Sequence, residues 1–274
     1  MFIAGKQSRP DSGYSRAVLS PRGKRLGEVG DGNRKDIRNA VEAAHAAGKG
    51  WSKSAGHLRA QILYYIAENL SARADEFAAR LTALTGARRG KARAEVDASV
   101  TRLFTFAAWA DKYEGLVHRP PFRGLALAMN EPVGVVGIVA PELPALLPFV
   151  TLMAAAITAG NTTVLIPSET GALIATDLYQ VLDTSDVPGG VVNIVTGDRL
   201  KLGLELARHD AVDALWSFGP RQMAEAFENA SSGNLKQTWC ETVARDWSDD
   251  RISAGRDTLG RATQVKNVWI PYGE

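Results

Sequence analysis

Residues 133–140 read Val133-Gly134-Val135-Val136-Gly137-Ile138-Val139-Ala140, a continuous run of Val, Ile, Gly and Ala. So short and apolar a run suits a strand covered on both faces, because a strand with one wet face would alternate. Working outward, further strand-like runs occupy 162–166, 191–195, 211–217 and 235–240, and helical patterns fill 144–159, 171–182, 200–208 and 221–230. Strands that alternate with helices require parallel pairing through right-handed crossovers. The expected fold class is therefore α/β, a Rossmann-like doubly wound parallel sheet.

Upstream the rhythm differs. Short strands at 2–4, 16–19 and 25–29, joined by turns such as Ser20-Pro21-Arg22-Gly23, predict a small meander. From Asn33 the spacing becomes helical, with Ile37, Val41 and Ala44 on one face and an interruption at Gly48 and Gly50 before Trp51. A second helix after Ser54 stacks Leu58, Ile62, Ile66 and Leu70 in one stripe, and a third uses Phe77, Leu81 and Leu84 and stops at Gly86. A fourth, over 92–113, turns Val96, Val100, Leu103 and Ala107 inward. Beyond this helical layer Leu125, Leu127 and Met129 alternate with small residues, as in a strand with one buried face. The tail at 246–261, rich in Asp, Ser, Gly and Arg, is expected to run over the surface. At 264–270 a strand resumes, too short to stand alone, which must join a sheet edge in its own subunit, a twin or another domain.

Composition narrows the function classes. Thirty-two basic against thirty acidic residues leave a net charge of +2, far from the footprint nucleic-acid binding needs. The run Arg88, Arg89, Lys91, Arg93 reads as a solvated helix face. No membrane is implied, since Pro141, Pro144 and Pro148 break the most apolar region. The opening residues lack the pattern of a signal peptide, and a single cysteine, Cys240, excludes an internal disulfide framework; both fit a cytoplasmic location. His45, His57, His118 and His209 show no ligand-like clustering, so no metal is expected. Trp109, Trp216, Trp239 and Trp247 read as core rather than as a ligand cage.

Several segments carry a resemblance in their order. Phe2-Ile3-Ala4-Gly5-Lys6, Asn130-Glu131-Pro132-Val133-Gly134-Val135-Val136-Gly137-Ile138, Ala159-Gly160-Asn161-Thr162-Thr163-Val164 and Val187-Pro188-Gly189-Gly190-Val191-Val192-Asn193 resemble the aldehyde dehydrogenase superfamily. The tail at 263–270 is similar to that family's oligomerisation strand. The resemblance implies four parts: 1–117, meander and helical layer of the cofactor-type domain; 118–131, a flap strand; 132–246, the NAD-binding-like domain; and 247–274, connecting loop and oligomerisation strand.

The resemblance also marks what is altered. Active members need a cysteine whose thiolate attacks the aldehyde carbon, carried in a domain between the cofactor domain and the last strand. Here about two dozen residues separate Glu241 from that strand, too few for a domain, and no cysteine follows Glu241. Glu241 falls at the family's general-base position and reads as vestigial, with Val243 and Ala244 where glycines are expected. The oxyanion-binding asparagine segment is replaced by Pro141-Glu142-Leu143-Pro144, whose carboxylate would repel negative charge. Ile166 stands for a ribose-contacting lysine, Glu169 remains at the ribose-binding acid position, and Gly219 is followed by Pro220, which has no N–H for a phosphate.

The closest resemblance is to the degenerate, non-catalytic carboxy-terminal unit of family 16 aldehyde dehydrogenases. It implies a pseudoenzyme with no cofactor, acting in structure, oligomerisation or contact with a catalytic aldehyde dehydrogenase unit in cis or in trans, and forming a homodimer. The flap residues implied are Leu125, Leu127, Met129, Val265, Val268 and Ile270. Two alternatives stay open: an NAD(P)-dependent oxidoreductase component that borrows a cysteine from another chain, and a small-molecule sensor using the crevice at the strand ends.

Overall fold

The computed structural model describes residues 1–113, 115–121 and 123–271. The chain opens with β1 (Phe2–Ile3), β2 (Lys6–Gln7), β3 (Ser15–Leu19) and β4 (Arg25–Gly30), followed by α1 (Arg34–Trp51), α2 (Gly56–Ala72), α3 (Ala74–Thr85) and α4 (Arg89–Trp109). Next come β5 (Leu116–His118), β6 (Gly124–Pro132), β7 (Val135–Val139), α5 (Leu147–Thr158), β8 (Thr162–Ile166), α6 (Ala172–Asp183) and β9 (Val192–Ile194). The chain ends with α7 (Arg199–Arg208), β10 (Ala214–Phe218), α8 (Arg221–Ala230), β11 (Gln237–Glu241), α9 (Asp250–Ser253), α10 (Arg256–Arg261) and β12 (Thr263–Pro271).

The central sheet runs β11-β10-β7-β8-β9-β1-β2, parallel from β11 to β9 and antiparallel beyond. Its inner strands β7, β8, β9 and β10 are buried on both faces, as the apolar run at 133–140 predicts for β7: Val135 and Val139 join the core under α1, α7 and α8, while Val136 and Ile138 join the core under α5 and α6. Every residue of α5 is buried, because α5 lies between the sheet and the α2–α4 layer. The chain leaves β7 toward β8 and later returns to β10 on its other side, so the switch point of the sheet lies between β7 and β10.

Several expectations need correction. The opening strands do not form one meander. Positive φ at Ala4 and Gly5 closes a β1–β2 hairpin that joins the main sheet beside β9, and β3–β4 forms a separate pair. The first helix runs through Gly48 and Gly50, held at its end by buried Trp51, whose indole donates to the Ile157 carbonyl at 3.1 Å. Tertiary anchoring here outweighs a glycine cost of about 1 kcal/mol each. Leu58 leaves the α2 stripe and is exposed. Steps of four residues drift about 40° apiece on a helix of 3.6 residues per turn, which rotates Leu58 roughly 120° from Leu70. Gly86 ends α3 in the left-handed region as expected, with φ 72°.

The flap is a three-stranded sheet, β12-β6-β5, in which all nine residues of β12 pair with β6. Its alternation has the opposite phase to the expected one in this chain. Small Gly124, Ala126 and Ala128 are buried, whereas Leu125 and Leu127 are half-buried and Met129 is exposed. The register pairs Leu125 with Ile270 and Leu127 with Val268, placing Leu125, Leu127, Met129, Val268 and Ile270 on one face together with Val117. Val265 pairs with Asn130 and lies on the other face, because an odd separation from Val268 reverses a side chain in a period-two strand.

The tail is more than a surface loop. Trp247, Ser253, Ala254, Thr258, Leu259 and Ala262 are buried. Arg102 of α4, almost wholly enclosed, donates to the Trp247 carbonyl at 3.0 Å, to the Asp250 carboxylate at 2.8 Å and to the Thr151 hydroxyl at 3.3 Å. Asn161 accepts from the Gly134 N–H and donates to the Ala262 carbonyl at 2.7 Å, tying the tail's last turn to the start of β7. Arg102→Ala is expected to lower unfolding stability by about 3 kcal/mol, since it empties a buried volume and orphans the Trp247 carbonyl. Urea unfolding followed by tryptophan fluorescence checks this, and a loss below about 1 kcal/mol would contradict it.

Candidate functional site

The carboxyl ends of β7, β8, β10 and β11 converge on one crevice, which collects Glu142, Glu169, Gly219 and Glu241 from segments far apart in sequence. The sheet's topology, not sequence proximity, assembles it.

Glu142 lies 28 residues from Thr170 yet accepts from its N–H at 2.9 Å and its hydroxyl at 2.5 Å, and from the Arg199 guanidinium at 3.2 Å. The sequence shows the carboxylate at Glu142 but not the partners that meet it. Burial raises its proton affinity, but the Thr170 bonds and Arg199 outweigh burial and hold the carboxyl below the usual range. Arg199 also donates to the Phe218 carbonyl at 2.9 Å, so it cross-links the ends of β7 and β10 at the start of α7. Glu169 lines the crevice mouth, with Arg16 at 3.7 Å and within the field of Arg199.

The phosphate end of the crevice is closed in a different way. Pro220 is the N-cap of α8 and supplies no side-chain hydrogen bond. The Met223 methyl packs on Gly219 so closely that a side-chain carbon at 219 would sit 2.1 Å from it. Ile166 is fully buried beneath α1 and α7 rather than facing the crevice with a polar group. Donors, charge and space here do not fit a dinucleotide in the manner the resemblance would place it: the lysine is apolar, the helix start lacks its N–H, and a methyl covers the glycine.

At the opposite end the Glu241 carboxylate is fully engaged. Arg245 grips it through two nitrogens, one bond measuring 2.8 Å, and the Trp239 indole donates to it at 2.9 Å. The guanidinium of Arg245 lies over both Trp239 and Trp247, 5.1 and 5.5 Å from the ring centroids, and those rings meet Phe218 edge to face. Burial raises the Glu241 carboxyl's proton affinity, but the bonds from Arg245 and Trp239 prevail and hold it below the usual range. A base so depressed and so enclosed is poorly suited to take a proton near neutral pH. Neighbouring Cys240 points to the other face of β11, against the α8 side, where burial and the charge of Glu228 push its thiol up to about 11. It stays protonated near neutral pH and is no nucleophile there.

Sequence reasoning located Glu241, Glu169 and Gly219 at the crevice but missed Arg199 and Arg245, the cations that neutralise it. Arg245 follows Glu241 by four residues in a non-helical segment, so no periodicity announces the pairing. Among the described residues no His, Cys, Asp and Glu are grouped to hold a metal, and no helix is long and apolar enough to cross a membrane.

A carboxyl depressed on folding adds stability that is complete above its unfolded-state value and lost as pH falls through the folded one. The stability advantage of the native chain over Glu241→Gln is therefore expected in full above about pH 5 and to fade below about pH 4. Urea midpoints of both proteins at pH 7 and pH 3.5 test this; a difference independent of pH would refute the Arg245 clamp.

The aldehyde dehydrogenase family profile matches residues 9–246. The chain is 30% identical over 241 residues to betaine aldehyde dehydrogenase of Bacillus subtilis (strain 168), covering 86% of this chain and 49% of that protein. It is 31% identical over 253 residues to the NADP/NAD-dependent aldehyde dehydrogenase PuuC of Escherichia coli (strain K12), covering 91% and 51% respectively. The crystal structure of an NAD-dependent aldehyde dehydrogenase from Sinorhizobium meliloti superposes with a TM-score of 0.85 at 28% identity, over 89% of this chain and 50% of that one. The chain thus spans about half the length of the relatives it matches. With the sheet order, the crevice and the profile in agreement, this chain belongs to the aldehyde dehydrogenase family.

Proposed function

We propose that this chain is a non-catalytic aldehyde dehydrogenase-like unit, of the kind found at the carboxy-terminal end of family 16, that acts in assembly. It pairs with a second copy of itself and with a catalytic aldehyde dehydrogenase unit, in cis or in trans, in a cytoplasmic setting. The observation that carries the reading is the flap: Val117, Leu125, Leu127, Met129, Val268 and Ile270 share one face, with Val117, Met129 and Ile270 well exposed. A contiguous apolar face on a narrow sheet favours a partner over water. Among the described residues β12 is an outer strand of its sheet, a position from which another sheet can be extended by strand addition.

The crevice supports the other half of the reading. Glu241 is clamped, Cys240 is protonated and faces away, and residues 242–262 reach β12 through two short helices with no further cysteine. No group in this crevice is placed to attack a carbonyl carbon.

Light scattering is expected to give the full chain a mass near twice 29.4 kDa and both a 264–274 deletion and Leu127→Asp a mass near 29.4 kDa, with helical circular dichroism retained. Equal masses for all three would sink the assembly role. NAD titrated against tryptophan fluorescence is expected to give no saturation in the micromolar range, and Glu241→Gln to leave the assembled mass unchanged. Saturable NAD binding or aldehyde turnover by the purified chain would overturn the non-catalytic role.

A further inference from the structure

The tail that follows β11 encloses a basin next to the β7–β10 crevice, the two sharing Arg245. Tyr113, Trp239, Arg245, Arg256 and Arg261 line it with Asp257, around a volume of about 720 Å³. That is within the size range of small-molecule sites.

The three arginines differ in how far their charge is already met. Arg245 is engaged by Glu241 and by the Ile252 carbonyl. The side chains of Arg256 and Arg261 make neither a hydrogen bond nor an ion pair among the described residues, although Arg261 lies within the field of the Glu241 carboxylate; each guanidinium lies over an indole, Arg256 at 5.6 Å from Trp109 and Arg261 at 5.4 Å from Trp239. Stacking occupies the flat face of a guanidinium and leaves its N–H edge free, and it holds the fork in place before any ligand arrives. Three guanidiniums thus line the wall against Asp257 and against Glu241 behind it, which engages Arg245 directly and Arg261 through its field, so the cations still outnumber the carboxylates. Trp239, which the sequence suggests is a simple core residue, lines the basin beneath Arg261, and Trp109 supports Arg256 from outside the lining.

We propose that this basin binds a small oxyanion, the shared chemistry being two or more negatively charged oxygens that the Arg256 and Arg261 forks can grip, as in a phosphate ester or a carboxylate. The Trp239 indole supplies an apolar wall beside the bound anion, against which charge-assisted bonds are stronger than in open water. Arg256 and Arg261 bind the oxyanion, and Arg245 positions the floor by fixing Trp239 against Glu241. This site is independent of the assembly role: neither arginine lies in the flap or in the crevice around Glu142.

The full chain is titrated with inorganic phosphate and, separately, with acetate, each against sodium chloride of equal ionic strength, reading tryptophan fluorescence and calorimetric heat. A saturable change below about 10 mM is expected. The double variant Arg256→Gln/Arg261→Gln is expected to weaken it about ten-fold or more, and Arg261→Lys, which keeps the charge and loses the fork, to weaken it several-fold. Saturation by phosphate alone assigns the phosphoryl class and by acetate alone the carboxylate class, and either supports the site. Absence of saturation by both, an equal response to chloride, or undiminished affinity in a double variant whose thermal melt matches the native one would overturn it.

Discussion

Arg102 decides where the chain goes after the sheet is finished. A guanidinium this deeply buried is tolerable only if its donors are met, and two of the three groups that meet them, the Trp247 carbonyl and the Asp250 carboxylate, come from the tail. Desolvation lowers the arginine's proton affinity and Asp250 restores part of it, so the charge and the tail depend on one another. Once the tail is pinned to α4, Trp247 is driven against Phe218, and Arg245 is brought over the indoles and onto Glu241.

The crevice that results is electrostatically closed on itself. In a pocket built for an anionic ligand and a proton acceptor, cations and carboxylates would face the ligand. Here Glu142 meets Arg199 and Thr170, and Glu241 meets Arg245 and Trp239. Buried charges require partners, and here the chain's own side chains and backbone supply them. The same requirement explains why Met223 folds over Gly219: a gap at a glycine is filled by the nearest flexible apolar side chain.

The flap and the tail divide the remaining exposed chemistry by type. The flap turns aliphatic side chains outward beside the outer strand β12, a surface suited to protein. The tail turns guanidinium edges outward over indoles, a surface suited to small anions. Both follow from the 21-residue span between Glu241 and Thr263, which carries the chain from the sheet to the flap and leaves the arginines of α10 on its outer side.

What the sequence determined by itself is the local order. Apolar runs such as 162–166 could pair only in a covered sheet, and the helical stretches between them allowed only parallel crossovers, so the doubly wound layer was readable without coordinates. The placement of Glu169, Gly219 and Glu241 near strand ends was readable too, because they sit in ordered motifs. What only the tertiary structure decided is partnership across distance. Arg245 on Glu241, Arg199 on Glu142, Arg102 under the tail and the face on which Val265 falls all depend on register and on side chains brought together from remote segments. Periodicity reports which face of an element is apolar; it carries no information about which charge lies on the element packed against it.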